Sequence, residues 1–366
     1  MRNRETGGRN YGIDLLRILA MFFVILLHSL DGTKVLFPSS LEMCDTGLYK
    51  ALWLLEVIAY GAVNTFALIS GYVGYREKPK TYKISSILSL WLQVVLYSII
   101  ITVITHFISP SIATKTDLFI QATPLMHKNY WYLNAYVGLF FFMPILDTAI
   151  GKLSKKSLKR ITFAILAVCC IGSQLMQINF NLNEGYSVIW LIVLYITGAT
   201  IKKCDIGKKL KPFMCLIIIF SLNLITWLLY LLRKTFIVGD MTISTTALVG
   251  YLSPTVVLAS IFYIICFSKL KFPNFMIKII KFGAPGAFAA YILNTNHFFY
   301  DYGRFWQAPQ VGVIPSWQII ILTVSFSLAF LIASILIDKI RQVLFIKLHI
   351  NNALQALDRK IRSIAK

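Results

Sequence analysis

The chain has 366 residues, of which 57% are hydrophobic and 14% are charged, and its formal net charge at pH 7 is +21. This composition excludes an ordinary soluble domain and is typical of a polytopic membrane protein. The positive charge would also suit a nucleic-acid-binding protein, but the distribution of the basic residues along the chain excludes that class.

The first hydrophobic stretch carries an unusual set of ionisable residues. It reads DLLRILAMFFVILLHSLD over residues 14–31 and is long enough to cross the ~30 Å hydrocarbon core of a bilayer. On a helix, Arg17 and His28 are separated by three turns plus about 20° and by about 16 Å along the axis, so they share one face. Asp14 lies one turn before Arg17, and Asp31 lies one turn after His28. Because ionisable groups that face lipid cost several kcal/mol each, we expect this stripe to face protein or a water-filled cavity.

Ten apolar stretches of about spanning length follow one another along the chain. The predicted spans are 13–30, 48–73, 84–108, 130–150, 161–178, 188–201, 213–232, 246–267, 283–300 and 317–337. Most of the 36 Lys and Arg residues fall in the N-terminal segment, in every second loop and in the tail. This alternation predicts an all-α fold of about ten transmembrane helices with both termini in the cytoplasm. Orientation and contact with anionic lipid then account for the net charge, and we expect no nucleic-acid partner.

The predicted domain organisation is a membrane domain over residues 1–338 and a basic tail over residues 339–366. The tail alternates apolar and basic residues, which is typical of an amphipathic helix lying on the inner leaflet. An arginine inside the first span, with no small-residue cleavage site after it, predicts that this span is not removed as a signal peptide. The six cysteines show no metal-ligand spacing, and we expect no metal site.

The second span contains one carboxylate, Glu56, and ends in NTFALISGYVGYR. An ionisable residue inside a span is a functional candidate, although Glu56 would be ordinary if it lay at the outer interface. The small residues Gly71 and Gly74 are those expected where two helices approach closely, and we predict a packing role for them.

Aromatic residues are concentrated at the start of the fourth span, which reads YWYLNAYVGLFFFMPIL. An interfacial aromatic belt is one interpretation. The other is a stacking surface for a sugar that includes Trp131, with Tyr136 one turn further in and contributing a hydroxyl to the same cavity. The ninth span places Tyr291, Asn294 and His297 at helical spacing, which predicts a polar face turned to a cavity.

These motifs together resemble the membrane acyltransferase family 3. The resemblance depends on Arg17 followed after ten residues by His28, on the segments GIDLLR and NTFALISGY, on the aromatic fourth span, and on GATIKK after the sixth. It is closest to the branch that O-acetylates polysaccharides, and it covers the whole membrane domain. One departure is the ninth span, where the family often has Tyr followed three positions later by His. Here Tyr291 is followed by Asn294, and His297 lies one turn beyond.

The resemblance implies acetyl transfer from cytoplasmic acetyl-CoA to a sugar hydroxyl of a polysaccharide or lipid-linked oligosaccharide. It implies a donor site at Arg17 with loop residues such as Arg76 or Lys78, and His28 as general base or covalent acyl relay. We expect Asp14 to orient Arg17, and Asp31 or another carboxylate to fix the tautomer of His28.

The resemblance also implies a location in the bacterial cytoplasmic membrane. The sequence leaves open whether the protein forms a homo-oligomer.

Two other functional classes remain alternatives on the sequence alone. The ionisable stripe would serve a proton-coupled transporter or flippase of a lipid-linked sugar as a proton relay. A polysaccharide polymerase would be expected to carry its chemistry on a large outer loop, and the loops here are modest.

Overall fold

The computed structural model describes residues 9–37, 46–76, 82–127, 130–173, 180–232, 235–238, 241–244 and 248–364. The predicted helical fold is confirmed over these residues. The helices are α1 Tyr11–Gly32, α2 Gly47–Tyr60, α3 Ala62–Gly74, α4 Ile84–Ile108, α5 Lys115–Ala122, α6 Trp131–Lys152, α7 Lys155–Ala167, α8 Val188–Lys203, α9 Pro212–Leu232, α10 Pro254–Phe267, α11 Asn274–Gly283, α12 Ala287–Thr295, α13 His297–Asp301, α14 Ser316–Lys347 and α15 Ile350–Ile364. A π-helical turn, Val168–Gly172, continues α7, and 3₁₀ segments lie at Asn183–Gly185, Ala284–Gly286 and Gly303–Gln310.

One short β-hairpin follows α9, and the sequence analysis did not predict it. Strands β1 (Thr235–Val238) and β2 (Met241–Ser244) pair antiparallel, with Thr235 opposite Ser244. The two strands are separated in sequence by Gly239 and Asp240, a dipeptide that favours tight hairpin turns.

By length and composition, seven helical stretches of the described residues are able to cross a membrane. They are Tyr11–Gly32, Gly47–Gly74, Ile84–Ile108, Trp131–Lys152, Pro212–Leu232, Asn274–Thr295 and Ser316–Lys347. The predicted eighth span corresponds to the shorter apolar helix Pro254–Phe267. Helix α14 continues without a break past residue 338, and α15 packs against α4.

The predicted ninth span is wrong as a single helix reaching residue 300. Helix α12 ends at Thr295, because Asn296 takes an extended conformation and its side-chain oxygen accepts a hydrogen bond from the Phe298 amide. A new short helix therefore begins at His297. The helical spacing that would have placed His297 on one face with Tyr291 and Asn294 is interrupted at this cap.

Helix α1 is the element around which the others assemble. It packs against α2, α3, α10, α11, α12 and α14. Its first turn is capped by the Asn10 side chain, which accepts from the Ile13 amide at 3.1 Å. Most of its apolar side chains are buried in the core. The Asp14 side chain is 9% exposed and those of Arg17 and Asp31 are 32% exposed, so the ionisable stripe also lies largely among protein side chains.

Helices α3 and α8 approach each other through glycine, as predicted for the end of the second span. A Cβ on Gly71 would lie 1.9 Å from the Tyr195 carbonyl oxygen, and a Cβ on Gly198 would lie 2.1 Å from that of Leu68. Such distances are far inside van der Waals contact, so only glycine permits this backbone approach. Nearby, buried Asn64 accepts from Trp190 Nε1 at 2.9 Å and donates to the Tyr251 carbonyl at 2.8 Å.

A buried carboxylate, Asp338, connects α14 to α4. It accepts from Gln93 Nε2 at 3.0 Å, from the Tyr97 hydroxyl at 2.9 Å, and from Arg341 at 2.6 and 3.1 Å. Gln342 Nε2 donates to it at 2.6 Å. The carboxylate is fully buried with several charge-assisted hydrogen bonds, so removing it leaves the Arg341 cation without its partner.

We therefore expect Asp338→Ala to lower the free energy of unfolding by about 3–5 kcal/mol. Lys155→Ala is the control, because Lys155 and Asp205 form an exposed ion pair at 3.2 Å. An exposed pair contributes only about 0–1 kcal/mol. Thermal unfolding of the two variants in detergent tests this, and equal losses of stability would contradict the assignment.

Candidate active site

His28 is held by an amide on another helix. Its Nδ1 lies 2.5 Å from Oδ1 of Asn294, which is completely buried on α12. With the amide oxygen as the atom facing the ring, this contact requires the proton on Nδ1 and leaves a lone pair on Nε2. A neutral imidazole with an unprotonated Nε2 can accept a proton from a neighbouring hydroxyl or act as a nucleophile.

The imidazole faces a cavity of about 290 Å³. Its apolar wall includes Met21, Val24 and Phe66. The remaining wall is mostly aromatic: besides Leu27, Val63 and Thr295 it consists of Trp131, Tyr132, Tyr186, Tyr251, Phe288, Tyr291 and Tyr300. Among the described residues, no Asp, Glu, Lys or Arg lines it. The cavity therefore offers ring faces and hydroxyl groups to a ligand, with His28 as its single ionisable imidazole.

The N-terminal end of α1 carries a three-residue ion cluster. Arg17 Nη1 donates to Asp14 Oδ1 at 2.9 Å, as predicted from their spacing, and Arg9 Nε donates to the other carboxylate oxygen at 2.5 Å. The Asp14 side chain is buried, whereas the Arg17 side chain keeps 32% of its surface accessible. Asp14 therefore holds the Arg17 guanidinium through a charge-assisted hydrogen bond while part of its surface stays accessible.

Tyr136 does not line the His28 cavity, contrary to expectation. It lines a second cavity of about 180 Å³, together with Tyr82, Lys83 and Ser86. Tyr132 and Tyr136 lie one turn apart on α6 and stack with ring centroids 6.3 Å apart. Tyr132 lines the His28 cavity and Tyr136 lines the second one, so the stacked pair lies between the two.

Asp31 does not hold the tautomer of His28, contrary to expectation. It forms an ion pair with Arg304, which lies beyond the predicted ninth span. The Arg304 guanidinium stacks over Tyr300 at 3.7 Å, and the Tyr300 and His28 rings are perpendicular to each other with centroids 5.0 Å apart. Gly32 permits this arrangement, because a Cβ there would lie 2.1 Å from the Arg304 carbonyl oxygen.

Glu56 lies on α2 near this end of α1. Its Oε2 atom is buried with no hydrogen-bond partner among the described residues. Glu56 is not among the residues that line the His28 cavity.

Only some of the other predicted site residues lie at the His28 cavity. Trp131 and Tyr291 line the His28 cavity. His297 is 44% exposed and pairs with Asp301 at 2.5 Å, so it does not share the buried face of Asn294. Arg76 is exposed just after α3, and Lys78 lies outside the described residues.

Sequence reasoning missed several residues around His28. Tyr186, Tyr251 and Tyr300 line the cavity, and Arg304 supports Tyr300. A sequence signal existed for Tyr300 and Arg304, because the segment YDYGR ends an apolar run with polar and aromatic residues. Tyr186 and Tyr251 come from loops, where spacing gives no indication of what they meet. Among the described residues, no group of three His, Cys, Asp or Glu side chains could hold a metal ion.

The contact between Asn294 and His28 predicts a positioning role for the amide. Asn294→Leu is expected to lower kcat for the reaction of this site by about 100-fold, because the imidazole loses both its orientation and its tautomer. Asn294→Asp retains an acceptor oxygen, so it should recover much of that loss. Steady-state kinetics of both variants test this, and equally low activity would indicate a purely structural role.

Comparison with known proteins identifies a family. The model of the acyltransferase 3 family, described as an acyltransferase domain, matches residues 10–338. No curated protein and no solved structure matches the chain. The matched range begins at the cap of α1 and includes Asp14, Arg17, His28 and Asn294. An acyltransferase is therefore favoured over a transporter or a polymerase.

Proposed function

This chain belongs to the acyltransferase 3 family, and we propose that it moves an acetyl group from cytoplasmic acetyl-CoA to a sugar hydroxyl of an exported polysaccharide or its lipid-linked precursor. The observation that carries this proposal is the His28 imidazole, held by Asn294 and facing a cavity lined largely by aromatic side chains. Acyl transfer needs a base beside the attacking hydroxyl, and aromatic faces are suited to stacking on a sugar ring.

In the proposed donor site, Arg17 and loop residues such as Arg76 and Lys78 meet the phosphates of CoA. Guanidinium groups bind phosphate through paired hydrogen bonds, and Arg17 keeps accessible surface although Asp14 orients it. The rise between Arg17 and His28 is about 16 Å along α1. The narrow pantetheine arm would span this distance, passing the stacked Tyr132 and Tyr136, to carry the thioester to the His28 cavity.

The proposed chemistry begins at Nε2 of His28. Nε2 takes the proton of the sugar hydroxyl as the hydroxyl oxygen attacks the thioester carbonyl carbon. The tetrahedral intermediate then breaks its carbon–sulfur bond, and the imidazolium returns the proton to the departing CoA thiolate. The alternative is a relay in which Nε2 itself takes the acetyl group and then gives it to the sugar. Rapid measurement of free CoA with donor and no acceptor distinguishes the two, since only the relay releases a burst of about one CoA per protein before any acceptor is added.

We propose that the protein lies in the bacterial cytoplasmic membrane with ten spans and both termini in the cytoplasm. The alternating distribution of Lys and Arg supports this orientation. With α1 so oriented, Arg17 lies towards the cytoplasm and His28 towards the opposite side. The base is then near the compartment that holds the exported sugar.

Labelled acetyl-CoA and an acceptor glycan test the proposed activity directly. Purified protein in nanodiscs should produce a base-labile acetyl ester on the glycan, and Arg17→Gln should raise the KM for acetyl-CoA more than it lowers kcat, because one phosphate contact is lost. If no ester forms but the protein carries a sugar or proton flux in vesicles, the proposal is wrong.

The cavity wall also predicts the charge of the acceptor sugar. Since no charged side chain of the described residues lines it, a carboxylate placed there would lack a counter-ion. We expect a phenyl glucoside to be acetylated at least about tenfold faster than the matching glucuronide. The neutral glucuronamide is the control for shape, and it should behave like the glucoside. A glucuronide that reacts as fast as the glucoside would contradict this prediction.

A further inference from the structure

A third cavity lies apart from the His28 site, between α7, α8 and α10. It has a volume of about 670 Å³, and the loop 204–210 forms part of its wall. It shares no lining residue with the His28 cavity or with the cavity at Tyr136. The proposed acyl transfer therefore does not account for it.

This loop is fixed in place by a lysine from another segment. Lys269 Nζ donates to the carbonyls of Gly207, Lys208 and Leu210, the last at 2.5 Å. Gly207 adopts a positive φ of 73°, which favours glycine. The side chains of Lys208 and Lys209 are consequently presented at the cavity from a fixed backbone.

The charge around this cavity is positive. Lys159, Lys208 and Lys209 line it and are exposed. The carboxylate in its wall, Asp205, is already paired with Lys155 at 3.2 Å. An anion bound here would therefore meet three ammonium groups and one neutralised carboxylate.

Another part of the cavity wall is apolar, and some of its side chains are exposed on the outer surface of the helices. Phe163 is 75% exposed and Leu258 is 44% exposed, and both line the cavity with Leu166 and Ile261. On a membrane protein, exposed apolar side chains of the helices face lipid chains. The cavity thus combines a cationic end with a wall that continues into hydrocarbon.

We propose that this cavity binds an anionic phospholipid, with its phosphate at Lys159, Lys208 and Lys209 and an acyl chain along Phe163 and Leu258. A soluble phosphate would use the lysines but not the apolar wall, and a zwitterionic lipid would use the wall with less gain from the lysines. Basic pockets between helices at the membrane surface are suited to anionic headgroups. This site is independent of the acyl-transfer chemistry.

The proposal is tested by measuring which lipids the full-length protein retains in detergent. Protein reconstituted with phosphatidylglycerol and phosphatidylcholine of identical acyl chains is released into detergent, and the retained lipid is counted by native mass spectrometry. We expect phosphatidylglycerol to be preferred at least about tenfold, and the double variant Lys208→Gln/Lys209→Gln to reduce that preference to about twofold. Phe163→Ser should lower retention of both lipids without changing the charge.

The control is Lys152→Gln/Lys156→Gln, which removes the same charge from exposed lysines that do not line the cavity. It should keep the wild-type preference. Equal losses in the two double variants would indicate nonspecific surface attraction and would overturn the proposal. Equal retention of the two lipids by the wild type, or displacement of the lipid by CoA or inorganic phosphate at matched concentration, would also overturn it.

Discussion

Replacing His28 with Gln is expected to lower kcat for acetyl transfer by about 10²–10⁴-fold, the usual contribution of a general base. Glutamine keeps polar atoms in the cavity and can still bond to Asn294, but its amide does not take a proton near neutral pH. The KM for acetyl-CoA should change little, because the proposed phosphate contacts are at the other end of α1. Initial rates with labelled donor measure both constants.

His106→Gln is the matched control for this prediction. His106 lies on α4, is exposed and bonds to the Ala113 carbonyl at 2.7 Å, so it is not part of the His28 cavity. It should retain the wild-type rate. Full activity in His28→Gln, with melting temperatures equal among the three proteins, would remove His28 from the chemistry.

The second large effect concerns stability at the contact between α3 and α8. Gly198→Ala should destabilise the protein by about 3 kcal/mol, because the new Cβ would lie 2.1 Å from the Leu68 carbonyl oxygen and the helices would have to separate. The close approach involves backbone atoms on both sides, so no side chain can rotate away. Thermal unfolding in detergent is the measurement.

Gly151→Ala provides the comparison, since a Cβ on Gly151 meets nothing within 4 Å. Alanine is favoured over glycine in a helix by about 1 kcal/mol, so helix propensity alone predicts that both substitutions stabilise. We expect opposite signs, with Gly198→Ala less stable and Gly151→Ala equal to or more stable than wild type. If both variants were more stable than wild type, the α3–α8 contact would accommodate the added Cβ and the prediction would be wrong.

Local patterns in the sequence predict those parts of the site that belong to one helix. The ion pair of Asp14 with Arg17 follows from a separation of one turn, and the glycine packing at Gly71 follows from small residues in an apolar span. In both cases the periodicity of the helix carries the information.

The partner of His28 could not be predicted in this way. Asn294 is 266 positions away, and only the packing of α12 against α1 brings it to Nδ1. The ionic partner of Asp31 is comparable, because Arg304 reaches it from a 3₁₀ segment after the helix break at Asn296. The hydrophobic pattern predicts that the ninth span runs through this break. The sequence alone does not distinguish an asparagine that caps a helix from an asparagine inside one. The tertiary packing overrides the local pattern at these positions.

The central claim is that the protein moves an acetyl group from acetyl-CoA on the cytoplasmic side of the membrane to a sugar on the opposite side. Proteoliposomes with a neutral acceptor glycan trapped inside and labelled acetyl-CoA added outside test it most directly. We predict base-labile label on the trapped glycan and none on a glycan added outside with the donor. Vesicles that contain His28→Gln should label the trapped glycan at least about 100-fold more slowly. Label that appears only when donor and acceptor share one compartment would contradict the account.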